Sequence, residues 1–261
     1  VRLASTLLCR ASVKAVLAVG ALLVALPAVA QQELVLVSDR DNTLYETDAD
    51  TNEVQNEFSN GAGSFLFAGR TRIDAGFRLR RGLLRFDLQA VPAGSTILFA
   101  ELTLYQSSVP QGAFPVTASL HRVLEEWGEG ASDAIPPEGQ GALALPGDAT
   151  WYQRVYDTLD WTNEGGTFSA LASAAATLGL ELEDHTWTCT PDLVADVQAW
   201  VDDSDLNFGW IIIGGEEGGG SARRFNSREN NQAETRPRLR VIYRTPEQVF
   251  ADGFESQPVC D

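Results

Sequence analysis

Residues Thr96–Tyr105 read Thr-Ile-Leu-Phe-Ala-Glu-Leu-Thr-Leu-Tyr, and the alternation in this stretch decides the fold class. Leu98, Ala100, Leu102 and Leu104 fall at a period of two, so they share one face of a half-buried strand. The last such stretch, 238–244, repeats the pattern: Leu239, Val241 and Tyr243 stand opposite Arg238, Arg240 and Arg244. Ile211, Ile212 and Ile213 run without alternation, as in a central strand covered on both faces. Working outward, the spacing of apolar residues predicts further strands at about 33–38, 64–69, 77–88, 116–124, 151–156, 177–182 and 208–214. Gly, Pro, Asn and Asp separate them.

One segment has the other period. Thr190 is a natural N-cap, Pro191 suits a first helical turn, and Asp192 favours the positive end of the helix dipole. Leu193, Val194, Val197, Trp200 and Val201 then form one apolar stripe, which predicts a short packed helix over about 191–203. Many strands and one packed helix predict an all-β protein, a jelly-roll-like β-sandwich.

The 261 residues carry 36 acidic and 19 basic side chains, a net charge of -17. Such a balance excludes an electrostatic grip on nucleic acid or on an anionic membrane surface, because both are bound by neutralising phosphate. Residues 1–30 read as a secretory signal peptide: Arg2, Arg10 and Lys14 precede an apolar run, which closes on Pro27 and Ala28-Val29-Ala30. Cleavage near Ala30 would release a secreted protein, periplasmic, surface-bound or extracellular. The apolar run is too short for a comfortable membrane span and no second one follows, so no stable membrane insertion is expected. Residues 31–245 are the expected folded domain and 246–261 a C-terminal tail. Cys189 and Cys260 are the two cysteines beyond the leader. In an oxidising compartment they either form a staple between tail and domain or stay free, and no Cys-x-x-Cys suggests a redox centre.

Several pieces in order resemble the secreted bacterial domains called DNRLRE, grouped with carbohydrate-binding module family 96. They are Arg81-Gly82-Leu83-Leu84-Arg85-Phe86-Asp87-Leu88 with Val91-Pro92-Ala93-Gly94, then Ala100–Tyr105, then Glu126-Trp127-Gly128-Glu129 and Asp148-Ala149-Thr150-Trp151. Leu193–Trp200, Asn207-Phe208-Gly209-Trp210, Phe225-Asn226-Ser227-Arg228-Glu229 and Arg236-Pro237-Arg238-Leu239 complete the series, which spans roughly residues 35–245. The resemblance implies a non-catalytic β-sandwich that binds polysaccharide or a cell-surface glycan. The terminal Asp252-Gly253-Phe254-Glu255-Ser256 is similar to a tail on other secreted bacterial proteins, where it would act in sorting or processing.

Sugar recognition needs flat aromatic faces and planar, hydrogen-bonding groups around them. Trp200 and Trp210 lie in apolar stretches and read as core. Trp127, Trp151, Trp161 and Trp187 have polar neighbours. The first three are the candidate stacking platforms, although packing is the plainer role for any one of them until two share a surface. Arg78 and Arg80 share a strand face, as do Arg238 and Arg240, and Arg223, Arg224 and Arg228 cluster in sequence. Such arginines could hold uronate, sulfate or carboxylate groups by paired N–H bonds, or could be salt-bridged to the abundant acids. Glu229 reads as an internal partner for an arginine. Asp48, Asp50 and Asn52 set hard oxygen donors at alternating positions, a candidate structural calcium site, against the plainer reading of a solvated turn. Asp203-Ser204-Asp205 repeats the spacing. No cofactor is required. No nucleophile elbow, zinc-protease helix, phosphate loop or zinc-spaced Cys/His set occurs, so no catalytic residue is expected. The alternatives are an adhesive matrix protein and a polysaccharide-degrading enzyme.

Overall fold

The computed structural model describes residues 31–47, 57–247 and 260. Fifteen strands follow in chain order. The first eight are β1 (Gln32–Val37), β2 (Arg40–Tyr45), β3 (Phe58–Ser59), β4 (Phe65–Arg70), β5 (Leu79–Arg85), β6 (Thr96–Ser108), β7 (Val116–Val123) and β8 (Ala142–Leu143). The others are β9 (Gln153–Val155), β10 (Leu159–Asp160), β11 (Phe168–Leu178), β12 (Asp184–Trp187), β13 (Trp210–Ile213), β14 (Arg223–Asn226) and β15 (Arg238–Arg244). Among the described residues one α-helix, α1 (Pro191–Asp202), lies between β12 and β13. The protein is all-β and sandwich-like, and no described helix is long and apolar enough to cross a membrane.

All the main strand pairs are antiparallel. One layer is ordered β1–β15–β6, with β12 on the far edge of β6. The other runs β5–β13–β7–β11, with β2 on the other side of β5. The pair β4–β14 joins them at one end: β14 pairs with the last residues of β6, and β4 with the start of β5. The single sheet therefore curls back on itself, and its concave side is the main core.

That core holds Ala100, Leu102 and Leu104 of β6, Leu239 and Val241 of β15, and Trp210 and Ile212 of β13. α1 closes it with Leu193, Val194, Val197 and Trp200. Thr190 caps the helix, its hydroxyl oxygen accepting from the Leu193 N–H at 3.0 Å. Asp196 is buried on the same helix, accepting from Ser173 Oγ and from Trp210 Nε1 at 2.9 Å.

The uninterrupted isoleucines have a direct cause. Ile212 points into the main core, while Ile211 points the opposite way into a second one with Leu44, Leu83 and Val123. The long connection between β7 and β11 supplies the roof of this second core through Trp127, Ala149, Trp151 and Trp161. Gly209 sets the entry to β13: its φ is 76°, and a Cβ there would meet the Leu84 carbonyl oxygen at 1.9 Å. Only glycine lets β13 start this close to β5.

A disulfide joins Cys189 to Cys260. The leader at 1–30 and most of the tail lie outside the described residues, as do Asp48, Asp50 and Asn52, the candidate calcium ligands.

Candidate functional site: an arginine-lined cleft

The joint where β4 and β14 pass between the two layers leaves a cleft of about 320 Å³. Four arginines line it, Arg72, Arg80, Arg223 and Arg224, together with apolar groups that include Phe67, Val109, Pro110, Ile135 and Pro137. Arg72 is ion-paired with Asp74 at 3.0 Å. The other three, like Arg40, Arg70, Arg154 and Arg236, bond to neutral oxygens. Among the described residues, Arg80, Arg223 and Arg224 form no ion pair with a carboxylate.

Neutral oxygens and aromatic rings position these side chains instead. Arg80 donates from Nε to the Gly139 carbonyl at 3.2 Å and from Nη1 to the Leu79 carbonyl at 2.7 Å, with its guanidinium 4.7 Å from the Tyr45 ring centre. Arg223 donates to the carbonyls of Ser221 and Phe114, and its Nε has no hydrogen-bond partner. Arg224 donates to Ser107 Oγ at 3.1 Å and to the Ser107 carbonyl at 3.2 Å, and stacks 3.9 Å above the Phe65 ring. Burial pulls the Arg80 guanidinium down to about 10, and burial lowers Arg223 and Arg224 as well. Positive charge is thus concentrated beside an apolar wall, with Glu138 and Glu46 near enough to act on Arg224 and Arg80 without forming an ion pair to them. Glu138 also lines the cleft, but its carboxylate is engaged by Asn60 Nδ2 at 2.9 Å and the Phe65 N–H at 3.0 Å.

Chemically, such a cleft can hold a ring with one apolar face and an anionic or strongly accepting substituent. The ring would lie on the proline and isoleucine wall, and the substituent would meet the guanidinium field.

Of the arginines proposed from sequence, the structure brings three to this cleft, Arg80, Arg223 and Arg224. Arg78 and the small exposed edge of Trp151 border a separate depression with Glu46, Arg70 and Glu164. Arg238 and Arg240 stand on the outer face of β15 and are paired, Arg238 with Asp184 and Arg240 with Glu33 and Glu101. The tryptophan platform is corrected. Trp127, Trp151 and Trp161 are 2%, 7% and 5% exposed, sealed in the second core. Trp127 Nε1 donates to the Phe208 carbonyl and Trp161 Nε1 to the Thr150 carbonyl, and the Arg81 guanidinium covers Trp151 at 4.9 Å. No indole lines the arginine cleft. Trp187 is buried in the main core and donates to the Ala118 carbonyl.

Adjacency marks Arg223 and Arg224 as a pair, but not which of them faces outward: on β14 successive side chains point to opposite faces, so Arg223 is buried and Arg224 is partly exposed.

At the second acidic turn, Asp203 Oδ1 accepts from the Asp205 N–H at 3.1 Å, a local turn contact. Among the described residues no group of three or more His, Cys, Asp or Glu is arranged to hold a metal. His121, unremarkable in sequence, has Ser119 Oγ 2.8 Å from its Nε2 and the Ser169 carbonyl oxygen 2.9 Å from its Nδ1. Its ring also packs edge-on against Phe168. No protein-family model matches the chain, and no curated protein matches it by sequence.

Proposed function

We propose that this chain is an exported, non-catalytic β-sandwich module that binds polysaccharide in the arginine-lined cleft, with preference for chains bearing carboxylate or sulfate groups. The observation that carries the reading is the trio Arg80, Arg223 and Arg224, grouped at one cleft without an ion pair to a carboxylate in a protein of net charge -17; Arg80 and Arg223 are buried behind it, so Arg224 is the one of the three that a ligand would touch. With so many acids available, unpaired guanidiniums at one place favour an anion from outside. The apolar wall of Val109, Pro110, Ile135 and Pro137 supports a ring-shaped ligand over a bare ion. The basic and apolar leader and the Cys189–Cys260 bridge support export. The ordered likeness to DNRLRE domains supports a glycan as ligand, and no calcium or other cofactor is needed for contacts of this kind.

Electrophoresis through gels containing polyuronate, sulfated glycan or neutral glucan tests the proposal. Retardation in the acidic gels, relieved by salt and weakened in Arg224→Met, is the expected outcome. Equal mobility in every gel would overturn it.

A second reading, hydrolysis of an acyl ester, is favoured by the Ser119–His121–Ser169 relay alone. With Nδ1–H donating to the carbonyl oxygen, Nε2 is free to accept the serine proton, which is the first half of a nucleophilic site. A fluorophosphonate probe that labels wild type but not Ser119→Ala would establish it, and an unlabelled protein would dismiss it.

A further inference from the structure

Glu129 and Glu229 converge on a single guanidinium, that of Arg228, and Asp41 accepts from the backbone N–H of the same residue. Arg228 donates from Nε and Nη2 to the two carboxylate oxygens of Glu129, at 2.7 and 2.8 Å. Glu229 Oε1 lies 2.9 Å from the same Nε. Asp41 is 1% exposed and accepts through Oδ2 from the Arg228 N–H at 2.7 Å and from Ser38 Oγ at 3.3 Å. Its own N–H donates to Glu129 Oε1 at 2.9 Å. Three separate parts of the chain meet here: β2, the connection after Trp127, and the turn after β14. The charged groups acting on one another are Asp41, Glu129, Arg228 and Glu229. Fully ionised, they would bring three negative charges to one positive charge in a half-buried site. Glu229 Oε2 is buried and accepts no hydrogen bond, which leaves this oxygen ready to carry a proton.

We propose that this cluster is a proton-operated latch: with Glu229 protonated it ties the segment around Glu129 to β2 and to the 227–230 turn, and loss of that proton loosens the tie. The ion pair to Arg228 favours the Glu229 carboxylate, and the crowding of Glu129 and Asp41 together with burial opposes it. A carboxylic acid beside Glu129 and Asp41 removes one of the mutual repulsions, whereas a carboxylate restores it at short range and low dielectric. Burial, with Glu129 adding and Arg228 opposing, raises Glu229 to about 7, and burial raises Asp41 well above the usual carboxylate range. In the unfolded chain Glu229 reverts to its ordinary value of 4.5. Between those two values the folded protein holds more protons than the unfolded one, so the contribution to stability is full below 4.5 and is lost as pH rises through about 7.

The latch has a local reach. Glu129 begins a segment in which Asn60 holds Ala134 and Glu138 by its side-chain amide, and whose far end, Ile135 to Gln140, walls the arginine cleft. A link from latch to ligand rests on the binding proposal above; the latch itself does not.

Amide exchange of the 126–134 segment in the full folded chain, corrected for the intrinsic pH dependence, tests it. Wild type is expected to open at least about fivefold more readily at pH 8 than at pH 6, and Glu229→Gln is expected to show no such step. A flat wild-type profile would overturn the latch, as would an unchanged step in Glu229→Gln. If that variant does not fold, carbon NMR of the Glu229 carboxyl in wild type decides: a midpoint near neutrality supports the latch, and one in the ordinary glutamate range overturns it. Neither readout involves a glycan, so failure here and failure of the binding proposal remain distinguishable.

Discussion

Arg223 has no exposed surface and a guanidinium nitrogen without a partner, an arrangement that costs on the order of 1–3 kcal/mol in a folded protein. Arg223→Met keeps the length and much of the packing while removing the uncompensated charge. Because the side chain also donates to the Ser221 and Phe114 carbonyls, the two effects oppose and urea unfolding is expected to show a small change in stability, with retardation in acidic gels little altered by loss of a buried group; a loss above about 3 kcal/mol would mean that the charge has an internal partner. A larger loss is expected at the tryptophans. Trp151→Ala removes a buried ring from the second core and should lower stability by about 3–5 kcal/mol, with retention per folded molecule unaltered. The contrast explains what was hidden in the sequence. Trp127, Trp151 and Trp161 have Gly, Asp, Glu and Thr as neighbours, which reads as exposed loop, yet the loop itself roofs the sheet. Whether an arginine meets an acid depends on residues far away in the chain: Arg81 pairs with Glu216 at 2.8 Å, while Arg80, one residue earlier, finds only carbonyl oxygens and a ring.

Strong periodicity made some elements legible and polar composition concealed others. β6, β15 and α1 were readable because their apolar residues repeat at two or at three to four, and the helix ends within a residue of its expected limit. β2 was missed because Arg40, Asp41, Asn42 and Thr43 have turn composition. In the folded chain Asn42 is satisfied by Ser59, Asn60 and the Glu129 carbonyl, so a polar strand can be buried at no net loss of hydrogen bonds. β11 was missed through its Ala and Ser content. Its register shifts twice against β7, which breaks any simple alternation. Two measurements belong to α1. Thr190→Ala loses the cap to Leu193 and should cost about 1 kcal/mol in denaturant unfolding. Burial raises the Asp196 carboxyl against the pull of Ser173, Trp210 and Arg122, so its protonated form is favoured in the folded state. Its contribution to stability is expected to fall as pH rises from the ordinary value of 3.8. Asp196→Asn, which keeps an acceptor for Trp210 Nε1, should flatten that part of the pH profile. An unchanged slope would place the effect elsewhere.

The curled sheet has two cores, one enclosed between its layers and one outside under the β7–β11 connection, and the cleft lies at the joint where β4 and β14 cross between layers. Cys189 precedes α1 and Cys260 lies 71 residues later, so the bridge closes a loop that includes the helix, β13, β14 and β15. Loop-closure entropy for that length is about 4 kcal/mol, an upper limit for the loss when Cys189→Ser is compared with wild type under oxidising conditions. A loss well below 1 kcal/mol would mean that the bridge hardly restricts the unfolded chain. The most direct test of the whole is calorimetric titration of wild type and Arg224→Met with an acidic and a neutral oligosaccharide of equal length. Measurable, salt-sensitive heat with the acidic sugar alone, much reduced in Arg224→Met, is the expected result. No heat with either sugar, or equal heat from both in both proteins, would contradict binding at the arginine cleft.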